Sequence, residues 1–339
     1  MVNYLKVDFA NTNQDNVPMP IHEQTKLEIF WVMLLARRLD ERAWALHSEK
    51  KIAYHVSCIG HEAAQVGAAF AMQRDQDWFS LYYRDLALML SLGYRPLGAF
   101  LGWLGKAADP ASGGRQMPGN WSSHELHVLP ASAIIAASLP HAVGAALAAK
   151  MNDEHSVVLA TCGDGATSQG DWYEALNLAT VQQLPIVFLV ENNGYAISTP
   201  LKGQMKVSHA AEKASAFGLS DHILDGRDPF AIYDEVHYAA ELARSGGGPS
   251  LIEVDLCRPT PHSSDDNDRL YRTEKDVLAC KARDPLRHTR ILLEKEGLLN
   301  DKRLQRFEEE AESLIEEALQ EALQAPDPDP AGAGEHVYA

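Results

Sequence analysis

An α/β fold with a mainly parallel sheet flanked by helices is predicted by three features of the sequence. Short apolar runs, IAYHVS (52–57), SVVLATC (156–162), IVFLVEN (186–192), HILD (222–225) and LIEVDL (251–256), read as buried strands. Segments of helical periodicity separate most of them, which is the order of a parallel sheet covered by helices. A length of 339 residues with 46% hydrophobic content is enough to bury a sizeable core. The expected organisation is an extended arm over 1–22, one α/β domain with a helical C-terminal part over 23–325, and a flexible tail over 326–339.

Each element has a local cause. The arm is polar and ends in VPMP (17–20). From about Glu23 to Lys50, Leu27, Phe30, Trp31, Leu34 and Leu35 recur at helical spacing, predicting a long amphipathic helix. The stretch 140–150 (PHAVGAALAAK) is rich in alanine and glycine, suited to close approach against a sheet or another backbone. Ser168 and Asp171 have the spacing of a capping box before a helix that carries Trp172, Ala175, Leu176 and Ala179 on one face. Asp228-Pro229 is an N-cap followed by proline at the first helical position, opening a helix to Arg244 that Ser245–Pro249 stops. Residues 300–324 form an acidic amphipathic helix through Leu304, Phe307, Ala311, Leu314 and Ala318, and APDPDPAGAG follows as a flexible segment.

Composition excludes some partners. With 30 basic and 47 acidic residues the formal charge is −17, which argues against a nucleic-acid surface or an anionic membrane. The apolar run Ile29–Ala36 is too short to span a bilayer, and no signal peptide is read. The four cysteines lie far apart with no CxxC pair, so buried reduced thiols in a cytoplasmic protein are expected.

The chemistry concentrates in GDGATSQGDWYEALNLATVQQLPIVFLVENNGYAIS (163–198). Alone, GDG reads as a turn and NNG as a hairpin or loop. Here they end two successive strands joined by one helix, and a right-handed crossover leaves those strands parallel and close. Asp164 and Asn193 therefore fall at the carboxyl edge of the sheet, where ligands of open α/β sheets gather. Glycines on both sides of Asp164 allow a sharp turn and close approach of backbone to ligand. A carboxylate, an amide oxygen and a main-chain carbonyl are hard oxygen ligands that suit Mg²⁺ completed by phosphate oxygens.

These residues resemble the thiamin-diphosphate motif. More narrowly, the chain from about 25 to 320 resembles the α subunit of the decarboxylating component of 2-oxo acid dehydrogenase complexes. The resemblance rests on GHEAAQVG (60–67), YYRD (82–85), GRQMP (114–118), GDGATSQGDWYEALN (163–177), ENNGYAIS (191–198) and PHSSDDNDRLYR (261–272), with GRQMP nearer the branched-chain members. It implies that Asp164, Asn193 and the carbonyl of Tyr195 bind Mg²⁺. Gly165 and Ala166 would offer amides to the diphosphate of thiamin diphosphate, with Tyr83 and Arg84 holding its far end. Ala133 and Ile135 would touch the aminopyrimidine side. His262 would contact the diphosphate beside the reacting centre, the one residue of this chain placed in catalysis.

The resemblance further implies oxidative decarboxylation of a branched-chain 2-oxo acid, with the acyl group passed to a lipoyl domain. The activating glutamate would come from a β subunit in an α2β2 heterotetramer. Pyruvate or acetoin dehydrogenase α subunits and a non-catalytic module of the same fold are the alternatives. A magnesium phosphohydrolase is the weaker reading, for want of a nucleophile near the GDG turn.

Several residues have plainer readings. Arg84 would otherwise make a surface ion pair with Asp85, and His262 taken alone is a solvated loop histidine. Ser263 and Ser264, where animal relatives carry a regulatory phosphoserine, are read as loop serines. His124 and His127 (HELH) have the spacing of one helix face, and Glu62 complements a helix dipole. Departures from the family are Asn120 in place of a branched-chain histidine, Ala137 at a potassium-ligand position beside Ser132, and Glu191 where animal relatives carry arginine.

Overall fold

The computed structural model describes residues 21–335, so the expected arm lies almost wholly outside the described residues. In chain order the helices and strands are α1 (Glu23–Ser48), α2 (Glu62–Ala71), β1 (Trp78–Ser80), α3 (Leu86–Ser91), α4 (Pro96–Trp103), α5 (Ser138–Met151), β2 (Val158–Gly163), α6 (Gly170–Val181) and β3 (Ile186–Asn192). They continue as β4 (Tyr195–Ala196), β5 (Thr199–Pro200), α7 (Leu201–Gln204), β6 (His222–Asp225), α8 (Pro229–Arg244), β7 (Ser250–Asp255), α9 (Glu274–Ala282), α10 (Pro285–Lys295) and α11 (Asp301–Gln324). Five strands form one sheet in the order β1-β2-β3-β7-β6, every pairing parallel, and β4 with β5 makes a separate antiparallel ribbon.

The central strands are continuous apolar runs because helices cover both faces. Alternate residues divide between two cores. Leu159, Val187, Leu189, Ile252 and Val254 join the larger core with α1–α4, α8, α10 and α11, whereas Val158, Ala160, Phe188, Val190 and Leu251 join α5 and α6. Every residue of α2 is buried, and a Cβ at Gly67 would lie 2.5 Å from the Pro229 carbonyl oxygen. That glycine lets α8 rest directly on α2.

The predicted caps of α8 are present: the Asp228 carboxylate accepts from the amides of Phe230 and Ala231 at 3.0 and 3.2 Å. In α11 the Asn300 side chain caps the amide of Arg303, and the buried stripe runs through Phe307, Ala311, Ile315 and Ala318. Residues 326–335 lie along the 106–115 loop, where Ala107 N–H donates to the Pro326 carbonyl at 3.1 Å and Lys106 pairs with Asp327 at 2.8 Å. No helix of the described residues is long and apolar enough to cross a membrane.

Three expectations are corrected. IAYHVS is not a sheet strand: His55 exchanges bonds with Ser264, its carbonyl accepting from that amide and its amide donating to the hydroxyl, so the segment serves a distant loop. The fifth strand is instead β1, whose three residues are too few for a periodicity. Ser168 does not cap α6, because residues 164–168 form a short 3₁₀ turn closed by the Thr167 hydroxyl on the Asp164 carbonyl, and Gln169 stands at the N-cap. Finally, Cys58 and Cys162 are buried free thiols, but Cys257 and Cys280 form a disulfide across 23 residues. Sequence separation hid a pair that the fold brings together, so only Cys58 and Cys162 keep the expected reduced state.

Candidate functional site

Strands β2 and β3 pair with Gly163 opposite Glu191, so their carboxyl ends are level. Asp164 opens the 3₁₀ turn beyond β2 and is only 1% exposed. Its Oδ2 accepts from the Gln204 amide at 2.7 Å, and burial raises its pKa above the ordinary carboxylate value. A Cβ at Gly165 would come within 2.7 Å of the Ala196 Cβ, so a glycine is required for the turn to rest on β4. This contact sets the Asp164 turn against the segment that carries Asn193 and Tyr195.

The two asparagines divide their work. Asn192 faces a buried cluster, donating to Glu253 at 2.5 Å and accepting from the Gly194 amide at 2.9 Å. Asn193 lies at the tip, its oxygen accepting from Tyr195 N–H at 3.3 Å and its nitrogen 3.4 Å from His61 Nε2.

Tyr83 and Arg84, adjacent in sequence, meet the distant His262 beside these tips. Arg84 is 1% exposed and does not pair with Asp85, which instead accepts from Tyr82 N–H and the Thr161 hydroxyl. The Arg84 guanidinium donates to the Ser57 carbonyl at 2.6 Å and to the His262 carbonyl at 3.3 Å, and lies 3.4 Å from His262 Nδ1. Its Nε is buried with no partner, and the group stands 5.4 Å from the Tyr83 ring centroid. The Tyr83 and His262 rings are 6.0 Å apart.

His262 is therefore not a solvated loop residue. Burial, with the charges of Arg84 and Arg258, pushes its pKa down to about 3. The ring is neutral at ordinary pH, and because Nδ1 faces an Arg84 donor, its proton resides on Nε2. The loop is tied down by His262 N–H on Asp266 at 2.8 Å, and Tyr271 donates its hydroxyl to the same carboxylate.

Sequence reasoning missed Arg258 and Arg272. Arg258 is fully buried, donates to the Ile197 carbonyl at 3.1 Å and leaves its Nε unpartnered; Arg272 donates to the Arg258 and Thr260 carbonyls. Neither carries a sequence pattern that would have marked it. The reading also missed the packing around Glu191, which faces inward and accepts from His61 Nδ1 at 2.6 Å, Gln65 at 3.0 Å and Tyr82 at 3.0 Å. Burial alone would lift Glu191, but His61 and Gln65 hold it below the ordinary carboxylate value, while burial and the Glu191 charge push Asp85 up.

Other expected residues lie elsewhere. Ala133 and Ile135 sit on an exposed turn, Ile135 being 42% and Ile134 72% exposed, and the structure does not bring them into the buried cluster. HELH is not helical, since its residues form a turn in which His127 has φ 54° and stacks on Trp78 at 4.8 Å. Glu62 begins α2 as expected, yet its main partner is Arg37 at 2.6 Å, with Gly60 N–H on its second oxygen. Among the described residues no group of three or more His, Cys, Asp or Glu side chains is arranged to hold a metal.

The model of the dehydrogenase E1 component family matches residues 31–331. The chain is 41% identical to 2-oxoisovalerate dehydrogenase subunit alpha of Bacillus subtilis (strain 168), over 94% of this chain and 96% of that protein. It is 36% identical to 3-methyl-2-oxobutanoate dehydrogenase subunit alpha of Mycobacterium tuberculosis (strain ATCC 25618 / H37Rv), over 94% and 83%. Identity to the pyruvate dehydrogenase E1 component subunit alpha of Bacillus cereus is 34%, over 93% and 82%. With its parallel sheet flanked by helices, the chain belongs to the dehydrogenase E1 component family, as an α subunit that uses thiamin diphosphate and works with a β subunit.

Proposed function

We propose that this chain is the diphosphate-binding half of a branched-chain 2-oxo acid dehydrogenase component, holding thiamin diphosphate through Mg²⁺ in an α2β2 assembly. The observation that carries the reading is the meeting of Asp164, Asn193, Arg84 and His262 at one edge of the sheet in a chain 41% identical to a 2-oxoisovalerate dehydrogenase α subunit. The residues present fit the group. Asp164 is a buried carboxylate with one side-chain donor, Gln204, and Arg84 keeps an unpartnered Nε inside the pocket. Asp164, the Asn193 oxygen and the Tyr195 carbonyl would hold Mg²⁺, and Gly165 and Ala166 would present amides to the diphosphate.

When bound, the cofactor supplies the electron sink for decarboxylation. Arg84 adds charge-assisted bonds to phosphate, and its contacts with His262 keep that ring neutral with Nε2–H available as a donor. Tyr83 packs over both groups. Ala133 and Ile135, on their exposed turn, would meet the aminopyrimidine side, with the β subunit completing that part of the site. A lipoyl domain of the acyltransferase would be the acceptor of the acyl group. Buried free thiols at Cys58 and Cys162 are the remaining support for a cytoplasmic setting.

The 34% identity to a pyruvate dehydrogenase E1 component subunit alpha supports a second reading, a pyruvate-type α subunit. Decarboxylation assays on the co-purified α and β chains separate the two. Branched-chain 2-oxo acids are expected to give the highest kcat/KM, and equal turnover of pyruvate overturns the preference.

A further inference from the structure

His61 is fully buried between β3 and the Asn193 tip, and both of its ring nitrogens are engaged. Nδ1 lies 2.6 Å from Glu191 Oε2, so it carries a proton and donates. Glu191 is itself held by Gln65 and Tyr82, at 3.0 Å each, and cannot swing away without breaking both bonds. The ring is thus fixed in orientation, and Nε2 points at the Asn193 amide, 3.4 Å away.

The orientation of that amide follows from its other end. Tyr195 N–H reaches the Asn193 oxygen at 3.3 Å, so the oxygen is on the Tyr195 side and the NH₂ faces His61. An NH₂ group requires an acceptor, and Nε2 is an acceptor only when the imidazole proton is on Nδ1. Glu191 enforces that tautomer. Flipping the amide would set its NH₂ against Tyr195 N–H, two donors face to face.

We propose that Glu191 and His61 act in series as positioning residues, His61 gripping the Asn193 NH₂ so that the amide oxygen keeps a free lone pair for the divalent cation. The inference rests on the reading of Asp164 and Asn193 as metal ligands. It gives Glu191, which stands where animal relatives carry arginine, a role: it sets the tautomer of the histidine behind a metal ligand rather than touching phosphate. Partners behind a ligand commonly matter about 10–100-fold in metal affinity.

The test is Mn²⁺ titration, read by the electron paramagnetic resonance of free Mn²⁺, on the assembled α and β chains with saturating thiamin diphosphate. Asp164→Asn is the control for the site itself. His61→Leu removes the acceptor, His61→Met leaves only a weak one, and His61→Gln retains an amide donor group and an acceptor on an uncharged side chain. Expected are loss of binding in Asp164→Asn, a rise of about tenfold or more in Mn²⁺ Kd for the apolar variants, and a value near wild type for His61→Gln. Should Asp164→Asn bind Mn²⁺ like wild type, the metal reading fails and this inference with it. Should Asp164→Asn lose binding while the apolar variants keep it, only the role of His61 is overturned. If neither apolar variant assembles, His61→Gln decides alone: affinity near wild type supports the role, and a loss as large as that of Asp164→Asn overturns it.

Discussion

The Asp164–Asn193 tips and the Arg84–His262 pocket lie side by side but are built in opposite ways. The tips come from one strand–helix–strand unit, and their closeness follows from the parallel pairing of β2 and β3. The pocket gathers Ser57, Tyr83, Arg84 and His262, the last two separated by 178 positions in sequence. Local geometry therefore determines the tips, whereas the pocket exists only once the larger core has formed. Substitutions at the tips should act on ligand binding with little effect on folding, and substitutions in the pocket should touch both.

Arg84→Ala is the strongest way to break that contrast. It removes the guanidinium from the Ser57 and His262 carbonyls and strips the pocket of its nearest cation. Charge-assisted bonds of about 1.5–3 kcal/mol each correspond to a rise of roughly 10–100-fold in the Kd for thiamin diphosphate. A fall in the thermal midpoint of the cofactor-free assembly should accompany it. Arg84→Lys should not restore binding, because an ammonium cannot span two carbonyls and a phosphate. Calorimetric titration of both variants checks this, and unchanged affinity in Arg84→Ala would remove the arginine from the site.

Gly165→Ala tests the tips with a smaller effect. The added Cβ would lie 2.7 Å from that of Ala196, displacing the Asp164 turn from β4. The turn can relieve this overlap by shifting off β4, which disturbs the ligand geometry more than the fold. The expected result is a weaker metal and cofactor affinity with the thermal midpoint nearly kept. Gly165→Ala with Ala196→Gly should recover much of the loss. If the double variant binds no better than the single one, the close approach is not what shapes the tip.

The same contrast explains how much could be read in advance. GDG and NN were legible because their meaning is local: a strand end, a glycine turn, a hard oxygen. The buried strands were legible because both faces of the sheet are covered. Arg258 carried no such pattern, as its burial depends on Ile197 and Tyr271, which the fold delivers from two other segments. His262 looked like a solvated residue because PHSSDDND is polar, yet Arg84 and Asp266 hold it half-buried through polar contacts that hydrophobicity cannot reveal. IAYHVS misled for the converse reason. Its strand-like sequence is used to hold the His262 loop through Ser264.

The pocket also predicts a pH dependence that the tips lack. His262 has its pKa pushed down to about 3 by burial and by the facing charges of Arg84 and Arg258, against the pull of Asp266, with Tyr83 as its neutral neighbour. The unfolded chain takes up a proton on this imidazole as pH falls through about 6.5, and the folded chain does not until near 3. Its contribution to stability is therefore complete above pH 6.5 and is lost progressively as pH drops toward 3, on the order of 1–2 kcal/mol by pH 5. His262→Gln removes the titration and keeps a polar side chain. Thermal midpoints of the cofactor-free assembly, measured from pH 7.5 to 5, should fall more steeply for wild type than for His262→Gln. Parallel curves would mean that the histidine stays accessible to protons, and the neutral Nε2–H donor assigned to the pocket would have to be given up.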